Sequence, residues 1–392
     1  MRVLLAFDKF KDSLPADAAC DAAADALCTP HPDWQFDRAP LTDGGEGFAA
    51  ILTHAAAGKL EVRRVTGPSG QSVDAPFGLV PFRQIPAAAR SLLDLPSTTS
   101  PDAPIAIVEM AAASGLALLA PSERRPWHTT SAGTGELLSA AAHAGAAGIL
   151  LGVGGSATND LGAGALAALG LNFETATGQR ISAPAPREWP HIARLTGAVD
   201  PALPPIRIAC DVVNPLLGPR GCTATFGPQK GLHPPDLAPL EQASARLAQL
   251  LLDHHAQPAA LLDLPGAGAA GGIAFGLMCA ARAKLLPGFS LVSAWLDLDA
   301  RIAAADLVLT GEGRYDATSL GGKGPGAVVF RARSLGKPVH VFAGAIPSDL
   351  ALADPSLHAI TPPDLPLPDA LRHTSALLAS ALLATFSPSH QP

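Results

Sequence analysis

The chain has 392 residues, which is long enough to bury a large hydrophobic core and predicts two domains, or three. Hydrophobic residues make up 48% of the sequence and charged residues 16%, and the formal net charge is −7 without any basic block. This balance argues against nucleic acid or an anionic membrane as a partner, whereas a small anionic substrate needs only local positive charge.

Cysteine usage and the apolar segments together predict a cytoplasmic protein. The five cysteines form no CxxC pair, which disfavours a disulfide framework or a zinc site and favours free thiols in a reducing compartment. The apolar run at the N-terminus is interrupted by Asp8 and Lys9, so it is too short for a signal peptide. The longest uncharged span, 137–159, contains glycines and ends in polar residues, which indicates helix, strand and loop rather than a membrane span.

The N-terminal elements predict a doubly wound parallel sheet. We expect a buried strand over 2–7, a helix over 16–27, a second strand over 36–41 and a second helix over 48–57. This βαβα order is typical of an open sheet whose ligand crevice lies at the carboxyl ends of its strands.

From residue 61 the pattern is typical of another domain. Segment 61–80 alternates between apolar and polar residues, which predicts antiparallel strands, and the Ala-, Pro-, Ser- and Thr-rich segment 84–104 is interpreted as a surface excursion. Segment 150–170 predicts a strand, a glycine turn and a helix start. A helix start favours anions such as phosphate, although a tight turn capped by Ser156 or Thr158 explains the same residues.

The remaining elements complete two α/β domains. They are predicted as a strand over 206–210, a helix over 237–254, a helix over 273–285, strands over 306–310 and 338–343, and a closing helix over 370–384. The simplest arrangement is a Rossmann-like α/β domain of residues 1–60 and 287–392, with a mixed α/β domain of residues 61–286 inserted into it. A cleft between the two is the expected ligand site.

A second glycine-rich segment, 265–272, formally matches GxGxxG through Gly266, Gly268 and Gly271. A dinucleotide site is not favoured, because the preceding residues 261–264 make a poor strand and no acidic residue ends a following strand at the usual distance. The segment is either a glycine-padded helix start that approaches a phosphate or a purely structural turn.

Acidic residues cluster at predicted strand ends. Asp8, Asp43, Glu312 and Asp316 each follow a predicted strand, and cationic side chains stand beside them. A single aspartate in such a place is more often a helix cap, but four in one predicted domain favour a polar site. Carboxylates together with Lys and Arg are what phosphoryl transfer requires.

Eight segments together resemble the type I glycerate kinases, in the order and spacing of that family. They are AFDKFKDSL (6–14), DGGEG (43–47), TTSAGTGEL (129–137), GVGGSATNDLGAG (152–164), ACDVVNPLLG (209–218), FGPQKG (226–231), PGAGAAGG (265–272) and DLVLTGEGRYD (306–316). The resemblance implies ATP-dependent phosphorylation of D-glycerate, most often at the 2-hydroxyl, with Mg²⁺. It also implies two α/β domains, one inserted into the other. This chain departs from the family in having Asp12 where Gly is common and Phe48 where Thr is common.

Site roles are hypotheses from residue type and loop position within that resemblance. The catalytic candidates are Asp211, Asp43 and Lys230. The substrate-binding candidates are Asp8, Lys9, Lys11, Arg314 and Asp316. The ATP-binding candidates are Gly154, Gly155, Ser156, Thr158, Asn159, Gly266, Gly268 and Gly271. The Mg²⁺ candidates are Asp160, Glu46 and Glu312.

Three alternatives remain open from the sequence. Phosphorylation could fall on the 3-hydroxyl of glycerate. A nicotinamide-dependent hydroxy-acid oxidoreductase would rest on the glycines of 266–271. A two-domain binder of small organic acids would lack nucleotide affinity. The expected partners are small molecules only, with the chain a monomer or a small homo-oligomer.

Overall fold

The structure is a computed structural model that describes residues 1–317, 319, 323–348, 350 and 356–386. Its strands are β1 (Arg2–Phe7), β2 (Gln35–Arg38), β3 (Lys59–Thr66), β4 (Ser72–Pro81), β5 (Pro104–Glu109), β6 (Gly148–Gly152), β7 (Asn172–Glu174), β8 (Arg194–Thr196), β9 (Ile206–Ala209), β10 (Lys284–Leu286), β11 (Leu307–Arg314), β12 (Val339–Ala345) and β13 (Leu357–Ala359).

The helices alternate with these strands. They are α1 (Ala16–Cys28), α2 (Phe48–Ala55), α3 (Ala87–Leu93), α4 (Met110–Ser114), α5 (Ala132–His143), α6 (Ala163–Ala168), α7 (Cys222–Phe226), α8 (Pro234–His255), α9 (Ala269–Ala281), α10 (Gly288–Trp295), α11 (Leu298–Ala304), α12 (Gly324–Ser334), α13 (Leu367–Arg372) and α14 (Thr374–Phe386). Among the described residues, no helix combines the length and apolarity needed to cross a bilayer.

The chain forms two compact units, one of Met1–Asp43 with Val292–Pro392 and one of Gly44–Leu291. The predicted boundary after residue 60 therefore differs from the observed one. Helix α2 packs on β4 and β5 of the second unit, and its buried side chains Phe48, Ile51 and Leu52 explain why it belongs there.

The first unit contains a five-stranded sheet in the order β13-β12-β11-β1-β2, with every pair parallel. One face packs on α1 and α14 through a cluster that includes Val3, Leu5 and Phe7. The alternate residues Leu4 and Ala6 are also fully buried, and α11 and α12 contact the same sheet. Burial on both faces is what an all-parallel sheet requires, so the doubly wound prediction is confirmed.

The second unit contains a six-stranded mixed sheet in the order β10-β9-β6-β5-β4-β3. Strands β10, β9, β6 and β5 are parallel, whereas β4 and β3 are antiparallel, as the alternating pattern of 61–80 predicted. A separate two-stranded hairpin pairs β7 with β8. A large apolar core lies between this sheet and the helices α5, α6, α8 and α9.

Segment 84–104 contains the short helix α3, and only Ile85, Ala89 and Leu93 of the segment are buried. The Arg207 side chain from β9 donates to the Leu93 carbonyl and connects the segment to the sheet. Two predicted boundaries were wrong. The predicted helix over 273–285 ends at Ala281, and β10 follows. Strand β11 continues to Arg314 instead of ending at Thr310, because it pairs with β12 over that length.

Candidate active site

In the first unit, the carboxyl ends of β1 and β11 bring acidic and basic side chains together. The two strands pair in parallel with Phe7 opposite Gly311, and the Asp8 N–H donates to the Gly311 carbonyl at 2.9 Å. Lys9 Nζ donates to Asp43 Oδ1 at 3.1 Å. Residues predicted from separate strand ends therefore meet at one edge of the sheet, as the rule for parallel sheets requires.

Glu312 lies at the centre of this cluster. Burial raises the pKa of its carboxyl group to about 7, and the nearby charges of Asp8, Asp316 and Asp43 act in the same direction. Its Oε1 is buried and has no hydrogen-bond partner among the described residues, whereas a hydrogen bond with Ser319 lowers the pKa. Perturbed carboxyl groups of this kind mark candidate functional sites.

Glu312→Gln should stabilise the protein at high pH only. Because the pKa is raised in the folded state, the stability cost of ionising Glu312 grows as the pH rises from its ordinary value of 4.5 to about 7 and is complete above that, while below 4.5 both states are protonated and no cost remains. We therefore expect the melting temperature of Glu312→Gln to exceed that of the wild type at pH 8 and to equal it near pH 4.5. A difference independent of pH would contradict this account.

The remaining substrate-binding candidates also lie at this edge. Arg314 Nε pairs with Asp316 Oδ2 at 2.9 Å, and the Arg314 side chain is 69% exposed. The backbone of Lys11 crosses Gly313, where a Cβ would lie 3.0 Å from the Lys11 nitrogen. Asp12 adopts a positive φ of 61°, a conformation that glycine adopts without strain. This position is where the resembled family commonly has Gly.

In the second unit, the loop 44–47 crosses the carboxyl ends of β6 and β9. A Cβ on Gly44, whose φ is 88°, would lie 3.5 Å from the Ala209 carbonyl oxygen, and the Gly44 carbonyl accepts a hydrogen bond from the Gly154 N–H at 2.9 Å. The Glu46 carboxylate lies against Gly155, where any Cβ would overlap its Oε1. The glycines allow two loops from distant parts of the sequence to touch through their backbones.

Asp160 does not fit its predicted role as a Mg²⁺ ligand. It is fully buried, and its carboxylate accepts hydrogen bonds from the N–H and Oγ of Ser131 and from the N–H groups of Gly162 and Gly164. Burial raises the pKa of this carboxyl group, while the four donors act against the shift. Asp160 therefore joins the glycine-rich loop to the starts of α5 and α6.

Lys230 is also buried rather than open to a phosphate. Its side chain is among the largest that are fully buried, and its Nζ donates to Ser156 Oγ at 2.8 Å and to the Thr158 carbonyl at 2.6 Å. Burial lowers the pKa of the amine to about 8. These contacts give Lys230 a positioning role in the glycine-rich loop, and its catalytic role stays a prediction.

Lys230→Met should loosen the glycine-rich loop locally. Methionine keeps an unbranched apolar side chain but removes the amine and with it both hydrogen bonds. A hydrogen bond from a charged group contributes about 1.5–3 kcal/mol to stability. Amide hydrogen exchange within 154–160 should therefore speed up about tenfold or more. The matched variant Lys284→Met removes an exposed lysine that pairs with Asp94 and should leave that exchange unchanged. Equal exchange in the two variants would reject the positioning role.

The glycines of 266–272 serve packing. The N–H groups of Gly266 and Gly268 both donate to the Asn214 carbonyl, and a Cβ on Gly271 would overlap the Thr158 carbonyl oxygen. The preceding segment, 259–263, is a 3-10 turn rather than a strand. The N–H groups of Gly266 and Gly268 are therefore already bonded within the chain, which favours the structural interpretation, and their contact with ATP phosphates stays a prediction.

Two buried polar atoms in the glycine-rich loop lack a hydrogen-bond partner among the described residues. They are Thr158 Oγ1 and Asn159 Oδ1, and both side chains have no exposed surface. Gly155 is the exposed residue of the loop, whereas Ser156 beside it is buried. Of the predicted nucleotide-binding residues, Gly155 is the one that the described structure leaves open to solvent.

Asp211 lies two residues after the end of β9, at the same sheet edge. Its Oδ2 accepts a hydrogen bond from the Phe289 N–H at 2.8 Å, within the first turn of α10. A carboxylate at a helix start is stabilised by the N–H groups there. This contact holds Asp211 in position beside the end of β9.

One buried carboxylate was missed from the sequence. Glu109 ends β5, is 6% exposed, and its Oε2 accepts a hydrogen bond from the Ala49 N–H at the start of α2. The signal was present, because an acidic residue after an apolar strand is the pattern that singled out Asp8 and Glu312. The Glu109 carboxylate therefore accepts from one of the N–H groups in the first turn of α2, which have no partner within the helix.

The donors available for Mg²⁺ are few. Within the described residues, no three His, Cys, Asp or Glu side chains are grouped as metal ligands. Mg²⁺ usually takes one or two carboxylates and completes its shell with phosphates and water, so a protein cage is not needed. Glu312 fits such a role because its buried Oε1 is unpartnered.

Comparison with known proteins shows extensive similarity. The family model described as "Glycerate kinase family" matches residues 3–386. A glycerate kinase of Bacillus subtilis (strain 168) is 37% identical over 382 residues, covering 96% of this chain and 94% of that protein. A glycerate 2-kinase of Escherichia coli (strain K12) is 37% identical over 355 residues, covering 90% of this chain and 87% of that protein.

A solved structure has the same fold. The crystal structure of a protein described as glycerate kinase 2 from Salmonella typhimurium LT2 superimposes with a TM-score of 0.74 at 35% sequence identity. The match covers 98% of this chain and 97% of that one.

Proposed function

The chain belongs to the glycerate kinase family, and we propose that it transfers the γ-phosphoryl group of ATP to the 2-hydroxyl of D-glycerate, giving 2-phosphoglycerate and ADP. The sequence resemblance to this family is confirmed, and the protein is a phosphotransferase of the glycerate kinase type. The name of the Escherichia coli relative supports the 2-hydroxyl as acceptor.

The meeting of separate loops at the carboxyl ends of β6 and β9 is the observation that carries this proposal. Loops 44–47 and 152–160 and the residue Asp211 come from three distant parts of the sequence, and all three belong to segments that resemble the family. A polar, glycine-lined edge of an α/β sheet is where ligands bind in such folds. The geometry of the second unit therefore supports a nucleotide and acceptor site at this edge.

We assign the ATP phosphates to the exposed Gly155, together with the backbone N–H of the adjoining Ser156. Their N–H groups donate no hydrogen bond among the described residues, and Lys230 and Asp160 hold the loop rigid beneath them. Preorganised N–H groups stabilise phosphate charge without reorganisation during the reaction. Mg²⁺ would neutralise phosphate charge when bound, and Glu312 stays a candidate ligand for it.

For the acceptor, we assign the proton transfer to Asp211. The glycerate hydroxyl oxygen forms a bond to the γ-phosphorus, the bond from that phosphorus to the β–γ bridging oxygen breaks, and the hydroxyl proton passes to the Asp211 carboxylate. The hydrogen bond from Phe289 orients that carboxylate. The candidates for binding the glycerate carboxylate are Lys9, Lys11 and Arg314, because that group requires positive charge.

Phosphorus NMR of the product tests the proposal directly. Purified protein incubated with D-glycerate, ATP and Mg²⁺ should produce ADP and a phosphomonoester signal that coincides with added 2-phosphoglycerate. A signal that coincides with 3-phosphoglycerate would move the acceptor to the other hydroxyl. No turnover of ATP would reject the proposal. The oxidoreductase alternative is not favoured, because the GxGxxG match follows a 3-10 turn and packs against its own chain.

A further inference from the structure

A cavity of about 890 Å³ opens beside the β7–β8 hairpin of the second unit. Its charged lining residues are Arg180, Arg187, Glu188, His191 and Arg246. Three arginines thus face one glutamate in a chain whose formal net charge is −7. Positive charge is concentrated around this concave surface against the overall charge of the protein, which favours an anionic ligand.

The arginines keep hydrogen-bonding capacity for a ligand. Arg180 is exposed, and its side chain makes no hydrogen bond or ion pair within the described part of the chain. Arg246 Nη2 donates to the Ile192 carbonyl at 3.0 Å, and Arg187 Nε pairs with Glu188 Oε1 at 2.9 Å. Each guanidinium has five N–H donors in a planar fork, so donors remain on all three, and this geometry matches a phosphate group.

We propose that this cavity binds a small phosphate-bearing organic anion as an effector of the enzyme. Part of the cavity wall is apolar and suits a short carbon skeleton; it is formed by Ile181, Pro190 and Ile192. The hydroxyl groups of Thr175 and Ser182 also line the cavity and offer polar contacts. The volume lies within the range of roughly 300–1,000 Å³ that small-molecule sites occupy.

A chain of contacts joins the cavity to the glycine-rich loop. Arg187 Nη1 is 2.9 Å from His128 Nδ1. His128 precedes Thr129, whose Oγ1 donates to the Ala157 carbonyl at 3.4 Å, and Ser131 holds Asp160. An anion that competes for Arg187 therefore acts on the segment that positions the glycine-rich loop.

Calorimetric titration of the full-length protein tests the site. The probes are 2-phosphoglycerate, 3-phosphoglycerate and inorganic phosphate, titrated into the wild type, Arg180→Glu and the matched surface variant Arg64→Glu. We expect saturable binding of at least one organic phosphate to the wild type and to Arg64→Glu. Arg180→Glu should weaken that binding at least tenfold, because it reverses a charge in the cavity without removing any internal hydrogen bond.

Binding that is equal in all three proteins would locate the probe elsewhere, for example at the catalytic site, and would overturn the proposal. So would binding of inorganic phosphate alone, or no binding at all. The effector role has its own measurement, which rests on the proposed function. The bound organic phosphate should shift the KM for ATP at least threefold in the wild type and not in Arg180→Glu. Saturable binding without this shift would reject the effector role while keeping the site.

Discussion

Asp160→Ala should lower the free energy of unfolding by about 3–5 kcal/mol, because it leaves several buried donors without an acceptor. The carboxylate accepts two hydrogen bonds from Ser131 and one each from Gly162 and Gly164. These groups have no exposed route to water, since Asp160 and Ser131 are completely buried. The loss should therefore be among the largest for any single substitution in this chain.

Two further variants define the cause. Asp160→Asn keeps one oxygen acceptor but turns an amide toward a former donor. Its free energy of unfolding should therefore lie between those of the wild type and Asp160→Ala. Asp263→Ala removes an exposed aspartate that has no side-chain partner within the described residues, and it should change stability by no more than about 0.5 kcal/mol. Urea unfolding followed by circular dichroism measures all three. A loss under about 1 kcal/mol for Asp160→Ala would contradict the structural role.

Asp211→Asn should reduce kcat about 10²- to 10⁴-fold while leaving the fold intact. Asparagine keeps an oxygen that accepts the hydrogen bond from the Phe289 N–H, so the start of α10 stays satisfied. It cannot take up the hydroxyl proton, and a positioned general base contributes about that factor. A fall in kcat with an unchanged affinity for ATP is the expected pattern.

The matched control is Asp200→Asn. Asp200 is also an aspartate that accepts a backbone hydrogen bond, from the Ala202 N–H at 2.8 Å, but it is exposed and lies in the turn before β9. Its substitution should leave kcat unchanged. Steady-state rates at saturating D-glycerate and ATP, with ATP affinity from a separate titration, distinguish the two variants. A kcat for Asp211→Asn within threefold of the wild type would remove Asp211 from the chemistry.

The role of the acidic residues could be predicted only in part. Sequence position identified Asp8, Asp43 and Glu312 as residues that follow strands, and the structure brings them together at one sheet edge. Loop position grouped Asp160 with Glu46 and Glu312 as a Mg²⁺ candidate, although the structure shows it as a buried cap. The strand-end reasoning overlooked Glu109. An acidic residue next to a strand end looks alike in the sequence whether a helix start or a ligand faces it.

The sequence by itself determined the fold class, the run of strand, glycine turn and helix at 148–168, and the family, because these depend on local periodicity and on the order of short motifs. Only the tertiary structure showed which unit holds α2. It also showed that Lys230 bonds the glycine-rich loop and that the glycines of 266–272 pack against neighbouring backbone. The physical reason is distance along the chain. Lys230 bonds to residues 74 and 72 positions away and Asp160 to one 29 positions away, so their partners exist only once the chain has folded.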